Sequence, residues 1–368
     1  MGLTVGQCIH GLGLGGAQKV IASIVRGGSE DIEHIVYSCE DGVLADEVRD
    51  AGAQVRVLPR NIPKWDHGWM LRTAAAFLDD GVDVVHGHLF GDTLHGYFAA
   101  RRANQLPFLM TLHNDYESFS RIQKFGYGYL LRRADLAVGC SRFVEESFAA
   151  HHSVNGRLSA IVNGIEAPTA DDGAGAALLE ELEVDRERPV VMTIGRLSEQ
   201  KGFRVLLDAF SQMAVDAQLV FVGEGDLEAS LRQRRAELGL GDRVFFAGYR
   251  DDAGALTYVA DVVAFPSLWE GLPIGLIEAM ARRRALVVTA LPGMLEAVRL
   301  DEEALVAPPG DAEALAGSLD RLLGDEELRS RLGRAARARY ESCFTAAQMV
   351  SEYEAVYRRL AETEGPPS

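Results

Sequence analysis

Short apolar runs alternate with longer amphipathic segments along almost the whole chain, and this alternation limits the possible fold more than any other feature. Seven runs rich in β-branched residues precede the middle of the chain, among them LTVGQCI, DVVHGH and PFLMTLH, and six follow it, among them PVVMTIG and ALVVTA. Helix-like segments such as GGAQKVIASIVRG lie between them. Continuous apolar strands separated by helices are typical of parallel sheets that are covered on both faces. The pattern predicts an α/β protein with two doubly wound, Rossmann-like domains.

One stretch interrupts the alternation and marks a domain boundary. The segment NGIEAPTADDGAGA, Asn163 to Ala176, is rich in Gly, Ala, Pro and Asp and has no periodicity, which is typical of a linker. The chain has 368 residues, enough for two domains of ordinary size, which we place at 1–168 and 169–345. Open parallel sheets bind ligands at the carboxyl ends of their strands, so we expect the two domains to face a central cleft.

Charge and cysteine content exclude several classes of function. A formal net charge of −17 repels a phosphate backbone, so we expect no nucleic acid partner. No C-x-x-C motif is present, and the simplest interpretation of the cysteines is a set of reduced thiols at Cys8, Cys39, Cys140 and Cys343. The sequence shows no signal segment and no apolar run of about 18 residues, so the expected location is the cytoplasm.

The first glycine-rich loop indicates a phosphate ligand. Gly11, Gly13 and Gly16 in HGLGLGGAQK form G-x-G-x-x-G directly after an apolar run, which is the fingerprint of a dinucleotide-binding turn. An acidic residue, Glu40, lies at the end of the second apolar run, as expected in an NAD(P)-dependent oxidoreductase. The same loop also suits a different phosphate ligand, so the motif alone leaves both interpretations open.

A second candidate phosphate site follows the first apolar run of the second domain. In TIGRLSEQKGFRVLLDAF, Arg196 comes directly after a predicted strand and Lys201 lies at the start of a predicted helix. Two cations and the free N–H groups of a helix start suit a diphosphate. The alternative is a solvated pair of cations that form ion pairs with Glu199 or Asp208.

The segment FPSLWEGLPIGLIEAMA combines a loop, two carboxylates and a helix start. Pro273 suits the first turn of a helix. The backbone N–H groups that this start would leave free belong to Ile274, Gly275 and Leu276. Glu270 and Glu278 can project to one side and accept hydrogen bonds from the hydroxyl pairs of a sugar and a ribose. The alternative is a glutamate that stabilises the helix dipole and a second one on the surface.

Three histidines raise the question of a metal site. His86 and His88 are two positions apart on a predicted strand and therefore point to the same face, and His113 follows the next strand. No Asp, Glu or Cys accompanies them at a spacing typical of metal ligands. We therefore expect structural or ligand-facing roles and no bound metal.

A local excess of basic residues lies between Arg101 and Arg133. The segment RIQKFGYGYLLRR interleaves aromatic and cationic side chains in an otherwise acidic chain. One interpretation is that residues 118–133 contact an anionic membrane surface from the inside of the cell. The alternative is a helix that packs its aromatic side chains inward and leaves its cations in solvent.

Taken together, these motifs resemble a known family. GRLSEQKG and PSLWEGLPIGLIEAMA are similar to the signature of the family 4 retaining glycosyltransferases, and the spacing of Glu270 and Glu278 matches the E-x7-E motif of that family. Other elements occur in the family's order: GGAQKV, HGH, TLHND, CSRFVEE, VNGI, FVGEGD and FAGYRDD. The resemblance extends over nearly the whole chain. It implies the GT-B fold and a nucleotide-sugar donor that is bound without a metal ion or other cofactor.

The resemblance also implies roles for particular side chains. Arg196 and Lys201 would hold the diphosphate of the donor. Glu278 would bind the ribose, and Glu270 would contact hydroxyls of the transferred sugar. His113 would lie beside the sugar, near the reacting centre.

Glycines and backbone groups would complete the donor site. Gly15 and Gly16 would approach the diphosphate or the sugar from the first domain. The nucleotide side would be formed by Gly223, Glu224, Gly225 and Tyr249. The loop and helix start of the second motif would contribute Leu272, Pro273, Ile274, Gly275 and Leu276. We also expect the final helix, at about 346–363, to pack back on the first domain.

The expected activity is transfer of a hexose-type sugar from a nucleoside diphosphate to an acceptor hydroxyl, with retention of the anomeric configuration. The acceptor is unknown and could be a saccharide, a lipid-linked molecule or a small metabolite. A double displacement would need a carboxylate nucleophile, for which Asp115 in TLHND is the nearby candidate. A same-face substitution, in which the leaving diphosphate takes the acceptor's proton, needs none. The alternatives are an NAD(P)-dependent oxidoreductase and a non-catalytic sugar-nucleotide-binding protein.

Overall fold

The computed structural model describes residues 2–13, 15–60, 66–154, 156–168, 172–250 and 253–362. The chain divides into two units, one formed by Met1–Glu166 with Thr345–Ser368 and the other by Ala167–Phe344. Each unit contains its own sheet, in which every pair of neighbouring strands is parallel.

The first unit starts with alternating strands and helices. Its strands are β1 Leu3–Cys8, β2 Ile32–Ser38, β3 Gln54–Val57, β4 Val84–His88, β5 Phe108–Leu112, β6 Leu136–Gly139 and β7 Leu158–Ala160. The helices between them are α1 Gly16–Gly27, α2 Ala45–Asp50, α3 His67–Asp79, α4 Phe90–Arg102, α5 Arg121–Leu131 and α6 Arg142–Ala149. The sheet order is β3-β2-β1-β4-β5-β6-β7.

The second unit repeats this organisation. Its strands are β8 Val190–Ile194, β9 Gln218–Val222, β10 Val244–Phe246, β11 Val262–Phe265, β12 Ala285–Thr289 and β13 Leu305–Ala307. Its helices are α7 Asp172–Glu181, α8 Phe203–Gln212, α9 Glu228–Glu237, α10 Ala253–Leu256, α11 Ile274–Ala281, α12 Pro292–Ala297, α13 Ala312–Gly324 and α14 Glu326–Cys343. The sheet order is β10-β9-β8-β11-β12-β13.

The apolar runs form strands because helices cover both faces of each sheet. Every residue of β4, β5 and β12 is buried, so no polar alternation is needed along these strands. Each of the thirteen apolar runs of the sequence overlaps a strand in the part of the chain that the structure describes. The predicted fold class, two doubly wound α/β domains, is confirmed.

The predicted linker is partly wrong. Helix α7 begins at Asp172, so Gly173 to Ala176 are helical although they lie in the stretch interpreted as a linker. The reason is packing: Leu178 and Leu179 of the same helix are buried in the second unit, and this burial stabilises a segment that lacks a clear sequence period. Residues 169–171 lie outside the described residues.

The last helix, α15 (Ala346–Glu362), belongs to the first unit and packs on α1. Tyr353 and Tyr357 are completely buried there. At its exposed end, Glu354 accepts hydrogen bonds from the backbone N–H and the hydroxyl of Ser29, at 2.6 and 2.7 Å, and Arg358 forms an ion pair with Asp31 at 2.9 Å. The rest of this unit ends at Glu166, about 180 positions before the helix begins. The helix therefore completes the core of a unit that is discontinuous in sequence.

A group of uncharged histidines lies in the core of the first unit. Burial lowers the pKa of His34 and of His113 to about 4. Burial also holds the pKa values of His86 and His88 well below the ordinary value of 6.5. The folded first unit therefore resists protonation of these rings.

We expect His34→Gln to make the stability of the first unit less dependent on pH. The pKa of His34 is about 4 in the native state and about 6.5 in the unfolded chain, so the unfolded state binds more protons between these values. The free energy of unfolding therefore falls as the pH drops below about 6.5, by up to about 1.4 kcal/mol per pH unit for this group. Urea titrations between about pH 7.5 and about pH 5 measure the slope, which should be smaller in the variant.

The matched control is His67→Gln, at an exposed histidine at the start of α3. This variant should retain the wild-type slope. A His34→Gln protein with the wild-type slope would show that protonation of His34 does not contribute to acid unfolding.

Candidate functional site

The loops that follow β9, β8 and β11 lie side by side at one edge of the second sheet. These strands are neighbours and run parallel, so their carboxyl ends share that edge. The edge therefore brings together the three predicted donor segments of this unit, which begin at Gly223, at Gly195 and at Pro266.

The backbones of these loops touch directly. A Cβ atom on Gly223, whose φ is +139°, would lie 2.1 Å from the carbonyl oxygen of Gly195. The Leu197 N–H donates to the carbonyl of Glu224 at 2.9 Å, which joins the same two loops. A side chain at Gly223 would separate these loops, so the predicted Gly223–Gly225 segment has a packing role at this edge.

A buried ion pair joins the β8 loop to the β11 loop. The Lys201 ammonium contacts Oε1 of Glu270, whose side chain is only 7% exposed. Glu270 also accepts hydrogen bonds from Ser267 Oγ and from Gln200 Nε2, each at 3.2 Å. Three donors therefore compensate one desolvated carboxylate.

The alternative partners that the sequence offered for Lys201 are wrong. Asp208 accepts hydrogen bonds from Arg234, and the partner of Lys201 is Glu270, 69 positions further along the chain. Sequence spacing favours local pairs on a helix, whereas this pair forms across two strand-end loops. Arg196 is exposed at the turn directly after β8.

The start of α11 differs from the prediction by one position. Pro273 is the N-cap in extended conformation, and the helix begins at Ile274. The N–H of Leu276 donates to the carbonyl of Pro273 at 3.1 Å, so this donor is used within the turn. The N–H groups of Ile274 and Gly275 precede the first helical hydrogen bond and point along the helix axis towards its start.

The two glutamates of the E-x7-E spacing have different neighbours. Glu270 contacts the β8 loop, whereas Glu278 is buried in α11 against α10. A Cβ atom on Gly254 of α10 would lie 2.8 Å from the carboxyl carbon of Glu278, so this glycine leaves room for the carboxylate. Glu278 is therefore packed against Gly254 of α10, whereas Glu270 pairs with the β8 loop.

The sequence did not predict that α12 packs against the loop that carries Glu270. A Cβ atom on Gly293, in α12, would lie 1.5 Å from the carbonyl oxygen of Gly271. Helix α12 thus packs against the backbone of the Glu270 loop, and only glycine permits this approach. The nearby Gln200 could have been found, since it directly precedes Lys201 in the motif.

The segment predicted beside the nucleotide base follows β10, at the outer edge of the sheet. Tyr249 is half-buried, and the guanidinium of Arg250 pairs with Glu181 of α7 at 2.6 Å. The Arg250 charge is therefore already compensated within the second unit.

In the first unit, the glycine loop, His88 and His113 lie at the carboxyl ends of neighbouring strands. These strands are β1, β4 and β5. Gly15 is the N-cap of α1 and Gly16 is its first residue, so these two glycines form the helix start. Gly11 instead pairs with Glu40 in an isolated β-bridge, which gives it a structural role.

His86 and His88 of the first unit are hydrogen-bonded to neutral side chains and, in the case of His88, to His113. Nδ1 of His88 lies 3.2 Å from Nε2 of His113, and Nε2 of His88 lies 2.8 Å from Oε1 of Gln7. His86 contacts the hydroxyls of Tyr357 and Thr111, at 2.8 and 2.7 Å. Both ring nitrogens of His86 and of His88 therefore have partners inside the unit.

Asp115, the candidate nucleophile, is committed to a turn. Its carboxylate accepts hydrogen bonds from the backbone N–H groups of Glu117 and Ser118, at 2.9 and 3.2 Å, and from the Ser118 hydroxyl. It caps a short 3-10 turn. A carboxylate whose oxygens accept these three hydrogen bonds is fixed in the turn and is not free to attack a sugar.

One cluster of possible metal ligands appears that the sequence did not suggest. His10, Cys39 and Asp92 have ligand atoms within 4.8 Å of one another. The guanidinium of Arg60 already forms an ion pair with Asp92, and burial raises the pKa of Cys39 to about 12. A cation is already in place beside the carboxylate, and its charge opposes binding of a divalent metal at this cluster.

Two family models match the chain, one in each unit. The model described as "Glycosyltransferase Family 4" matches residues 14–167, and the model described as "Glycosyl transferases group 1" matches residues 177–339. The chain belongs to glycosyltransferase family 4. Its sequence features are those expected of the family, and its two sheets are those of the GT-B fold.

Curated relatives of this family-4 chain are similar over part of its length. It is 32% identical over 152 residues to the lipopolysaccharide core biosynthesis glycosyltransferase LpsE of Rhizobium meliloti, a match that covers 41% of this chain and 44% of the relative. It is 28% identical over 196 residues to alpha-D-kanosaminyltransferase of Streptomyces kanamyceticus, covering 52% and 51%. The chain thus spans about half the length of these relatives.

A solved structure matches the fold of the whole chain. HepE from Anabaena, crystallised in complex with UDP and glucose, has a TM-score of 0.87 with 21% sequence identity. The match covers 97% of this chain and 100% of HepE. The expected GT-B architecture is confirmed.

We expect Lys201→Ala to destabilise the second unit, because it leaves the Glu270 carboxylate buried without its counter-ion. The expected loss in the free energy of unfolding is about 2–3 kcal/mol. Replacing both charges, with Lys201→Met and Glu270→Gln together, should recover most of this loss. Urea titrations of the single and double variants measure the difference.

The control is an exposed ion pair of the same unit. Arg321 and Asp301 lie 3.2 Å apart, with side chains 58% and 52% exposed. Arg321→Ala should therefore cost less than about 0.5 kcal/mol. Equal losses in Lys201→Ala and Arg321→Ala would contradict the buried-charge explanation.

Proposed function

We propose that this chain is a retaining glycosyltransferase that moves a hexose-type sugar from a nucleoside-diphosphate sugar to an acceptor hydroxyl. The observation that carries the proposal is the junction of the β8 and β11 loops, where Lys201 contacts Glu270 beside the start of α11. Cations and helix N–H groups suit a diphosphate, and a carboxylate suits sugar hydroxyls. The relatives named as glycosyltransferases, and HepE crystallised with UDP and glucose, support the same assignment.

The charges of the second unit are suited to a donor diphosphate. Arg196 is exposed at the turn after β8, and we assign it to the diphosphate together with Lys201. The Lys201 ammonium has three protons, so it can contact Glu270 and a phosphate oxygen at the same time. We assign Glu278 to the ribose, and Glu270 to the hydroxyls of the sugar.

We assign further donor contacts to backbone groups and to the first unit. In the second unit these are Gly223, Glu224, Gly225, Tyr249, Leu272, Pro273, Ile274 and Gly275, without the predicted Leu276. In the first unit they are Gly15, Gly16 and His113. The donor-facing atoms of α11 are the N–H groups of Ile274 and Gly275, because the Leu276 N–H is used in the turn.

The proposed mechanism is a same-face substitution. The leaving diphosphate oxygen takes the proton of the acceptor hydroxyl, and the protein stabilises the charge that develops as the glycosidic bond breaks. Arg196, Lys201 and the start of α11 provide this stabilisation, so we propose that no metal ion is required. The hydrogen bonds that hold Asp115 in its turn support this course over a double displacement.

The alternatives make different predictions for ligand binding. An NAD(P)-dependent oxidoreductase is not favoured, because it leaves the Arg196, Lys201 and Glu270 arrangement without a purpose. Thermal unfolding with UDP-, GDP- and ADP-sugars, and with NADH as the comparison, identifies the donor, because a bound ligand raises the unfolding temperature. Stabilisation by NADH alone would overturn the proposal, and stabilisation by a nucleotide-sugar without any turnover would indicate a binding protein.

We expect Arg196→Ala to reduce donor turnover strongly without affecting the fold. Loss of a preorganised charge that faces the leaving diphosphate costs about 2–4 kcal/mol of transition-state stabilisation, or a roughly 30- to 1000-fold fall in kcat/KM. Slow hydrolysis of the donor in the absence of acceptor, followed by release of the nucleoside diphosphate, provides the measurement.

The control for this variant is Arg321→Ala, which removes an exposed arginine of α13 from the same unit. It should turn over the donor at the wild-type rate. Wild-type turnover in Arg196→Ala would refute the assignment of this residue to the diphosphate.

We also propose that α5 contacts an anionic membrane surface. Ile122 and Phe125, one turn apart on this helix, are 79% and 76% exposed, whereas Tyr127 of the same helix is buried. The helix therefore packs one aromatic residue inward and presents two large apolar residues outward, next to the exposed Arg121, whereas the Lys124 ammonium forms an ion pair with Glu117. Among the described residues, no helix combines the length and apolar character needed to cross a bilayer. The contact would be peripheral and would bring the enzyme to a lipid-linked acceptor.

Ile122→Ser together with Phe125→Ser should reduce sedimentation with vesicles of anionic phospholipid. Each serine removes a large apolar side chain from the surface that would enter the lipid interface. The control is Val43→Ser, which removes an exposed apolar residue of the same unit outside α5. A wild-type protein that fails to sediment with the vesicles would refute the membrane proposal.

A further inference from the structure

A chain of buried hydrogen bonds runs from the C-terminal helix to His113. The Tyr357 hydroxyl on α15 lies 3.1 Å from Nε2 of Gln7 on β1, and Oε1 of Gln7 lies 2.8 Å from Nε2 of His88 on β4. Nδ1 of His88 then lies 3.2 Å from Nε2 of His113. Gln7, His88 and Tyr357 are completely buried, and the proposed reaction uses none of them.

The amide of Gln7 gives this chain a direction. Its carbonyl oxygen only accepts hydrogen bonds, so Nε2 of His88 carries a proton and donates to it. Burial holds His88 in its neutral form, so its Nδ1 has no proton and accepts from His113. The proton of the neutral His113 ring is therefore on Nε2, and Nδ1 is the nitrogen that can accept a further hydrogen bond.

With the amide placed this way, the hydrogen bonds continue in the same direction at its other end. The amide N–H of Gln7 donates to the Tyr357 hydroxyl, which is then free to donate to Nδ1 of His86 at 2.8 Å. Nε2 of His86 donates in turn to the Thr111 hydroxyl at 2.7 Å, and that hydroxyl lies 3.0 Å from the hydroxyl of Tyr353. Each of these groups has a partner when the amide points this way, and turning the amide would require every proton along the chain to move.

We propose that Gln7 and Tyr357 are positioning residues that hold His113 in its Nε2–H form, so that Nδ1 accepts a hydrogen bond from a hydroxyl of the donor sugar. This inference rests on the proposed function, in which His113 contacts the sugar. Helix α15, through Tyr357, would therefore affect the chemistry of His113, which follows β5. Neither Gln7 nor Tyr357 touches the substrate.

If Gln7 and Tyr357 had only a structural role, that role would depend on packing. Variants that keep the packing would then leave the proton of His113 in its place. Tyr357→Phe keeps the aromatic ring and removes only the hydroxyl that orients the Gln7 amide. Gln7→Met keeps the approximate volume of the side chain and removes the amide contacts with Tyr357, His88 and His34. Tyr353→Phe is the matched control: it removes an equally buried hydroxyl from the same helix, at the far end of the chain from His113.

Proton positions are measured directly by nitrogen-15 NMR of the histidine rings at neutral pH, with the His113 signals assigned by their loss in His113→Asn. The wild-type and Tyr353→Phe proteins should show His113 with its proton on Nε2. Gln7→Met and Tyr357→Phe should show a mixture of the two neutral forms. A wild-type His113 with its proton on Nδ1, or a Gln7→Met spectrum identical to the wild type, would overturn the proposal.

Donor hydrolysis provides the second measurement and separates this inference from the proposed function. Gln7→Met and Tyr357→Phe should lower kcat/KM about tenfold through misplacement of His113, and Tyr353→Phe should change it less than about twofold. Wild-type activity in His113→Asn would refute the role of His113 in the donor site, while the spectra still test the hydrogen-bond chain. The predicted spectra together with wild-type activity in both Gln7→Met and Tyr357→Phe would refute the positioning role. Should Gln7→Met fail to fold, Tyr357→Phe alone decides both measurements.

Discussion

The parallel arrangement of every strand pair determines where chemistry can occur in this protein. Because all strands of a sheet run in one direction, all their carboxyl ends meet at one edge, and the loops that follow them become neighbours. In the second unit this edge joins the Arg196–Lys201 turn to the loop that carries Glu270. In the first unit it joins the glycine loop to His88 and His113. Gly11 and His113, 102 positions apart in sequence, thus lie at the same edge without any dedicated connection.

The two units stabilise buried polar groups in opposite ways. The second unit keeps a charged pair, Lys201 and Glu270, and offsets the cost of desolvation with two neutral donors on the carboxylate. The first unit keeps His86, His88 and His113 neutral, so that each ring can both donate and accept within a connected network. A charged pair suits a place where a phosphate group is to be held. A neutral network suits a place where the direction of one hydrogen bond matters.

Sequence reasoning predicted the strands and the edges well, because continuous apolar runs report burial on both faces of a sheet. It failed where the outcome depended on a partner far along the chain. Lys201 carries no local sign that it pairs with Glu270, and Gln7 carries none that it bonds to Tyr357, 350 positions away. It also failed where packing overrides composition, as in α7, whose glycines and alanines suggested a linker. Helix α11 begins one residue later than predicted, because proline suits both the N-cap and the first helical position.

The first unit is discontinuous in sequence, and this affects the order in which the chain can fold during synthesis. Its sheet is complete once β7 has been made, but α15 emerges only after all of the second unit. Until then, Gln7 and His86 lack the tyrosine hydroxyls that satisfy them, and the apolar face of α1 lacks its cover. The second unit, which is continuous, can finish folding first. The final helix therefore acts as a closing element, and a chain that stops short of it leaves the first unit with exposed apolar surface and unsatisfied polar groups in its core.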